Sequence, residues 1–203
     1  MEALLVVRHA FAGSNRDGLA SRATPGEGLT PEGVEQARRL GAELADAEIS
    51  VGVATELART QETLELALEG RDVPRLVVPE LNEVDFGSFD GGPLVDYRAW
   101  AATHDPAEPA PGGGESRAAA AGRYARGLQL LLERPEPVVL LVGHALVLRY
   151  VLDAARGLVP APLMAPVEHA TAHVLGRAEV ARAARVLAEW SAAPRFRDPS
   201  MEG

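Results

Sequence analysis

Two short apolar runs in this chain each end on a histidine. Residues 3–10 read Ala-Leu-Leu-Val-Val-Arg-His-Ala, and residues 138–145 read Val-Val-Leu-Leu-Val-Gly-His-Ala. Aliphatic runs of this length read as strands buried on both faces, and core packing gives no reason to close each one on an imidazole. In open α/β sheets, ligands bind beyond the carboxyl ends of the strands. His9 and His144 are therefore expected to meet there, with Arg8 beside them. Arg59, expected in the first turn of a helix, and Glu83, expected in the loop after a third strand, complete the set. Guanidinium forks hold phosphate through paired charge-assisted hydrogen bonds, and a helix N-terminus adds backbone donors. A neutral imidazole can attack phosphorus, and a protonated carboxyl can give its proton to the departing alkoxide. The set suits phosphoryl transfer through a phosphohistidine without a metal.

Each residue also has a plainer reading. A lone histidine is ordinarily a satisfied core side chain, Arg59 an exposed helix arginine, Glu83 a solvated loop carboxylate and Asn15 a turn residue. Two histidines at matched strand ends, one of them next to an arginine, favour function for that pair. His169 and His173 are four apart, which suggests a metal pair, but the flanking Val, Thr and Ala favour a strand and no third ligand stands nearby. They read as structural or pocket-rim residues. His104 reads as exposed, with contact to substrate left open.

The elements that must position these residues alternate. After the first strand and a loop, Thr30 caps a helix with Pro31 at its first position, running to about Asp46. Residues 51–54 are a second strand, Thr55 is expected to cap a helix to Gly70, and residues 75–78 are a third strand. Residues 81–92 form a loop, 94–103 a helix and 115–133 a longer helix. The fourth strand, 138–142, leads into a helix to about Ala155. Residues 167–175 and 184–190 are expected as closing strands, and the tail from Pro194 is expected to be loose. Strand–helix–strand alternation implies a parallel sheet. The expectation is an α/β protein, a three-layer α/β/α sandwich around a mostly parallel sheet. It forms one domain over 1–203, with a small helical cap inserted after the third strand, at about 84–135.

Composition excludes several classes. With 203 residues, 47% hydrophobic and 24% charged, the chain suits an ordinary globular domain. There is no cysteine, which removes thiol nucleophiles and thiolate metal sites. There is no lysine either, since every basic residue is arginine, which removes Schiff-base chemistry and a Walker-type loop. A net charge of −9 argues against a nucleic-acid partner. The apolar run from Val138 is too short to span a membrane. The start, Met-Glu-Ala, lacks the basic segment of a signal peptide, so a cytoplasmic protein is expected.

Six motifs in order resemble the histidine phosphatase superfamily, which includes cofactor-dependent phosphoglycerate mutases and small phosphomonoesterases. They are Arg8-His9-Ala10 with Asn15; Leu29 to Ala37 as Leu-Thr-x-x-Gly-x-x-Gln-Ala; Thr55, Leu57, Arg59 and Thr63; Leu81, Glu83, Gly87, Asp90 and Gly91; Gly113-Gly114-Glu115-Ser116; and Val142-Gly143-His144-Ala145. The resemblance implies His9 as nucleophile and Glu83 as proton donor, then base. Arg8, Asn15, Arg59, His144 and Ala145 would surround the phosphoryl group. It also implies no metal, no cofactor, and a small phosphate ester as substrate, with a homodimer left open. Three features depart from the family pattern. Alanine replaces the glycine after each histidine, Phe11-Ala12 replaces a polar pair, and Asp90 replaces a glutamate. They read as retuned specificity. A mutase that returns the phosphoryl group to a second hydroxyl, and a non-catalytic phosphate binder, are the alternatives.

Overall fold

The first apolar run forms β1 (Ala3–Arg8), which lies between β4 (Val138–Gly143) and β5 (Ala172–Gly176) in the computed structural model, which describes residues 1–197. The sheet order is β3-β2-β4-β1-β5, with β2 at Val51–Ala54 and β3 at Arg75–Val77. All pairings are parallel except β1 with β5.

Side-chain alternation explains why β1 and β4 are apolar throughout. Leu4 and Val6 with Val139 and Leu141 enter the core on one face, while Leu5 and Val7 with Leu140 and Val142 enter the core on the other. The second core is closed by α2 (Pro31–Glu43) and α3 (Ala58–Ala67), through Ala37, Leu40, Leu64 and Ala67. The first is closed by α5 (Arg117–Leu132), α6 (Ala145–Ala155) and α7 (Arg177–Ala192). A three-layer α/β/α arrangement results. Between β3 and β4, the loop after Leu81 and α4 (Leu94–Thr103) border the C-terminal ends of the strands, and α5 packs against α7.

Three expectations are corrected. Residues 184–190 belong to α7: Val180, Ala183, Ala184 and Leu187 are buried at three- and four-residue spacing, and Glu179 accepts from the Gly176 N–H at 2.8 Å at the helix start. The closing strand is confined to Ala172–Gly176. Ala170 adopts a φ of 49° before it and donates its N–H to the Arg8 carbonyl at 2.9 Å. Of the tail expected to be loose, residues 194–197 are docked. Trp190 Nε1 donates to the Arg195 carbonyl at 2.7 Å, Phe196 packs on the Trp190 ring, and the Arg197 N–H reaches the Pro160 carbonyl. Residues 198–203 lie outside the described residues.

Leu141 is fully buried between β1 and β2. Leu141→Ala is expected to lower unfolding free energy by about 2–5 kcal/mol in a urea titration. A loss well below about 1 kcal/mol would contradict this packing.

Candidate active site

Register brings the two histidines together. Arg8 is the partner of Gly143, and the His9 N–H donates to the Gly143 carbonyl at 2.9 Å, so the residues leaving β1 and β4 are neighbours. The imidazole centroids lie 5.4 Å apart at 63°. Arg59 from α3 sits against both rings. Its Nε donates to His9 Nε2 at 3.2 Å and its Nη2 faces His144 Nδ1 at 3.4 Å, while Nη2 also donates to the Ser21 carbonyl at 2.9 Å.

Hydrogen bonds fix both tautomers. His9 Nδ1 donates to the Ala10 carbonyl at 2.8 Å, which leaves the lone pair on Nε2. His144 Nε2 donates to Thr55 Oγ1 at 2.9 Å. Thr55 Oγ1 donates to Thr60 Oγ1 at 2.9 Å, and Thr60 Oγ1 to the Leu57 carbonyl at 2.8 Å. Thr55 therefore does not cap the helix, as its position suggested. Leu57 occupies the N-cap, and Thr55 orients His144 instead. Burial, with the Arg59 charge next, holds both histidines well below the usual imidazole range.

Arg8 donates through Nη1 to the Val167 carbonyl at 2.7 Å, and burial lowers it to about 10. Arg8 Nε and Arg59 Nη1 are buried and make no hydrogen bond within the described residues. Glu83 lines the same cavity and is half-buried. Burial raises its carboxyl above the usual range, against the pull of Arg59 and Arg8, and its Oε1 accepts from the Val84 N–H at 3.0 Å. The cavity is about 380 Å³, with Arg8, His9, Asn15, Arg59, Glu83 and Ala145 in its lining. Asn15 Oδ1 accepts from the Ala12 N–H at 3.0 Å, which shapes the short helix α1 (Gly13–Arg16). His144 lies behind Arg59, fully buried. All seven expected site residues thus gather at one place. One unpartnered nitrogen on each of two guanidinium groups, beside two neutral imidazoles, is a donor set whose chemistry suits an oxyanion.

The supporting motifs have physical roles here. Thr30 accepts from the Gly33 N–H at 3.1 Å to cap α2. At Gly33 a Cβ would lie 2.0 Å from the Phe11 carbonyl oxygen, so only glycine allows α2 to pack this closely on the loop after β1. Gln36 Oε1 accepts from the Phe11 N–H at 2.9 Å. Thr63 Oγ1 accepts from the Ala10 N–H at 3.0 Å and donates to the Arg59 carbonyl at 2.6 Å, which ties the end of the His9 strand to the helix of Arg59. Arg123 donates to the carbonyls of Glu80, Asn82 and Glu83, and is itself paired with Glu115 at 2.6 Å. Asp90 Oδ1 accepts from the Arg22 N–H at 2.7 Å.

His169, which the sequence reads as a structural or pocket-rim residue, supports His9 from outside the cavity lining. Its Nδ1 donates to the His9 carbonyl at 2.7 Å and its ring stands 5.6 Å from that of His9, and burial with the Arg8 charge lowers it to about 4. Sequence spacing paired it with His173, which instead sits on β5 opposite Val6. His104 stacks on Trp100 at 4.7 Å, away from the cavity lining. Neither Ala10 nor Ala145 has a positive φ, and Ala10 packs into the core. The alanines after the histidines are therefore unstrained. Phe11 turns its ring to His169 at 5.4 Å and is not part of the cavity wall.

A family model described as histidine phosphatase superfamily (branch 1) matches residues 4–193. The chain belongs to that superfamily. An adenosylcobalamin/alpha-ribazole phosphatase of Salmonella typhimurium is 41% identical over 87 residues, 43% of each chain. The protein of that name from Escherichia coli is 38% identical over 87 residues, 43% of this chain and 42% of its own. The matched region thus spans under half the length of these curated relatives. The solved structure of the alpha-ribazole phosphatase from Shigella flexneri superposes with a TM-score of 0.74 at 30% identity, covering 85% of this chain and 89% of that one. The five-stranded, mostly parallel sheet flanked by helices is the fold of these histidine phosphatase relatives.

Thr63→Val keeps the shape but leaves the buried Ala10 N–H unpaired. A stability loss of about 1–3 kcal/mol is expected by chemical denaturation. An unchanged midpoint would mean that this bond does not tie the two elements.

Proposed function

We propose that the protein is a metal-independent phosphomonoesterase that hydrolyses a small phosphorylated metabolite through a phosphohistidine on His9. The observation that carries this is the cluster of His9, His144, Arg8 and Arg59 around one cavity, with two guanidinium nitrogens buried without partners. The superfamily membership supports it, and the relatives' names supply alpha-ribazole 5′-phosphate as the first ester to test.

In the first step His9 Nε2 attacks phosphorus while the P–O bond to the alcohol breaks. The protonated Glu83 carboxyl supplies a proton to the leaving oxygen, and the alcohol departs. In the second, water attacks the phosphohistidine, the Glu83 carboxylate takes its proton, and the P–N electron pair returns to Nε2. Arg8 and Arg59 hold the equatorial oxygens, where charge accumulates. A bound dianion also reverses the local field, so that His144 can accept a proton and donate through Nδ1. Asn15 and Ala145 border the phosphoryl group. Arg123 holds the backbone under Glu83 and positions the acid.

The alternative of a non-catalytic phosphate binder is motivated by Ala10, Ala145 and Phe11; neither alanine has a positive φ and Phe11 is outside the cavity lining, which supports the catalytic reading. No described helix is long and apolar enough to cross a membrane. A cytoplasmic setting stays part of the proposal.

Phosphate release from alpha-ribazole 5′-phosphate and from p-nitrophenyl phosphate, with a chelator present, tests the reading. Wild type is expected to turn over at least one ester, and His9→Ala to abolish it. Equal activity in the two proteins, or none in wild type, would refute the assignment, and isomerisation of phosphoglycerate would indicate a mutase. Glu83→Gln is expected to lower kcat on the order of 10²–10⁴-fold.

The pH profile follows from the two directions of shift. His9, lowered, stays neutral and nucleophilic in mild acid. Glu83, raised, keeps its proton above the ordinary carboxyl range and loses it as pH rises. The rate is therefore expected to hold on the acid side and to fall on the alkaline side as Glu83 ionises. A profile that rises steadily through neutrality in wild type would contradict Glu83 as the acid.

A further inference from the structure

Among the polar side chains that line the cavity outside the His9 cluster, Tyr97 and Arg117 are buried, whereas Arg98 is exposed. Tyr97 on α4 is 5% exposed and its hydroxyl has no hydrogen-bond partner. Arg117, the first residue of α5, is 4% exposed. Its Nε donates to the Tyr150 hydroxyl and its Nη2 to the Ala161 carbonyl at 3.3 Å, and its guanidinium lies over the Tyr150 and Phe196 rings at 5.2 and 5.3 Å. No carboxylate of the described residues pairs with it, and Nη1 makes no hydrogen bond. Both residues line the cavity that holds His9 and Glu83.

A buried cation with no carboxylate partner among the described residues is unusual, because two hydrogen bonds and two ring faces offset only part of the cost of removing the charge from water. The neighbouring buried arginines differ in this respect. Arg123 has Glu115, Arg59 lies against the two imidazoles, and the Glu83 charge bears on both Arg8 and Arg59. Arg117 touches neither histidine, and its charge bears on the phenols of Tyr150, which accepts its hydrogen bond, and of Tyr97. Most of the intervening wall is apolar, with Phe86, Leu94, Leu146 and Met164 among it. The cavity therefore has an end lined by Arg8, His9 and Arg59, an apolar middle, and two further donors, the Tyr97 hydroxyl and Arg117 Nη1, without an acceptor among the described residues.

We propose that Tyr97 and Arg117 form a second subsite, which binds a hydrogen-bond-accepting oxygen, carboxylate or carbonyl, on the alcohol portion of the ester whose phosphate sits at His9. The proposal rests on the phosphomonoesterase reading and deepens it. The substrate it selects carries a phosphate at one end, an apolar ring between, and an acceptor at the other. A phosphate ester with only an apolar tail leaves both donors unpaired, and sites built to hydrogen-bond a group discriminate strongly against analogues that lack it.

The test uses three synthetic esters: biphenyl-4-ylmethyl phosphate, its 4′-carboxylate and its 4′-carboxamide. Wild type is expected to show kcat/KM about tenfold or more above the parent for at least one acceptor ester. A gain confined to the carboxylate assigns an anionic partner, and equal gains assign a neutral oxygen. The gain should largely vanish in Arg117→Met and fall in Tyr97→Phe, which removes one oxygen and covers the case in which the arginine variant does not fold. Parity of all three esters in wild type, or a gain that survives in both variants, overturns the subsite. Calorimetric titration of the same esters into His9→Ala gives the ratio without turnover. If wild type hydrolyses none of them, the phosphatase reading fails on these esters, and the calorimetric ratio still decides the subsite.

Discussion

The arrangement depends on one backbone pairing, that of β1 with β4. Adjacent strands in a sheet lie about 4.8 Å apart, and the parallel register sets Arg8 against Gly143. The next residue on each strand is a histidine, so the 5.4 Å separation of the rings is close to the spacing of the sheet itself. A slip of one residue would send each side chain to the opposite face. Burial of both faces forbids it, because Leu4 and Leu5, or Val6 and Val7, would have to exchange cores. The two hydrophobic cores thus hold the geometry of the polar site.

Around that pair the protein collects positive charge without collecting negative charge to match. Arg8, Arg59 and the two imidazoles crowd a buried space, and the nearest acid, Glu83, is itself pushed toward its neutral form. Both histidines are driven the same way, toward neutrality. Such a site is electrostatically biased toward an anion. Preorganised donors in a low-dielectric space act strongly on an incoming anion and need little reorganisation when charge develops. The framework that tolerates this is itself well tied, by Thr63 to the strand end, by Gln36 and Gly33 to the following loop and by Arg123 to the acid's backbone.

The strands, the main helices and the gathering of Arg8, His9, Asn15, Arg59, Glu83, His144 and Ala145 were legible because each carries a local signal: an apolar run, a cap, or a motif position. What sequence did not disclose is long-range. His169 reaches His9 across 160 positions, and nothing in its neighbours, Glu168 and Ala170, marks that contact. Thr55 has the composition of a helix cap, but its oxygen serves an imidazole 89 residues away, and tertiary need overrode the local preference. Residues 184–190 misled in the opposite direction. Alanine and valine on a buried helical face look like strand when the window is short, and only the continuation from Val180 reveals the helical spacing. Tyr97 and Arg117 belong to separate helices, and their shared unsatisfied state exists only in three dimensions.

Arg59 has a double position that bears on more than charge. Its Nε–H lies on the very nitrogen of His9 that would react. The imidazole's lone pair is therefore sheathed by a guanidinium N–H. Under the phosphatase proposal, an oxyanion would compete for that same N–H and in drawing it away uncover His9 Nε2. On this reading the substrate's own charge unlocks the reaction, so a neutral molecule of similar shape would leave the catch in place.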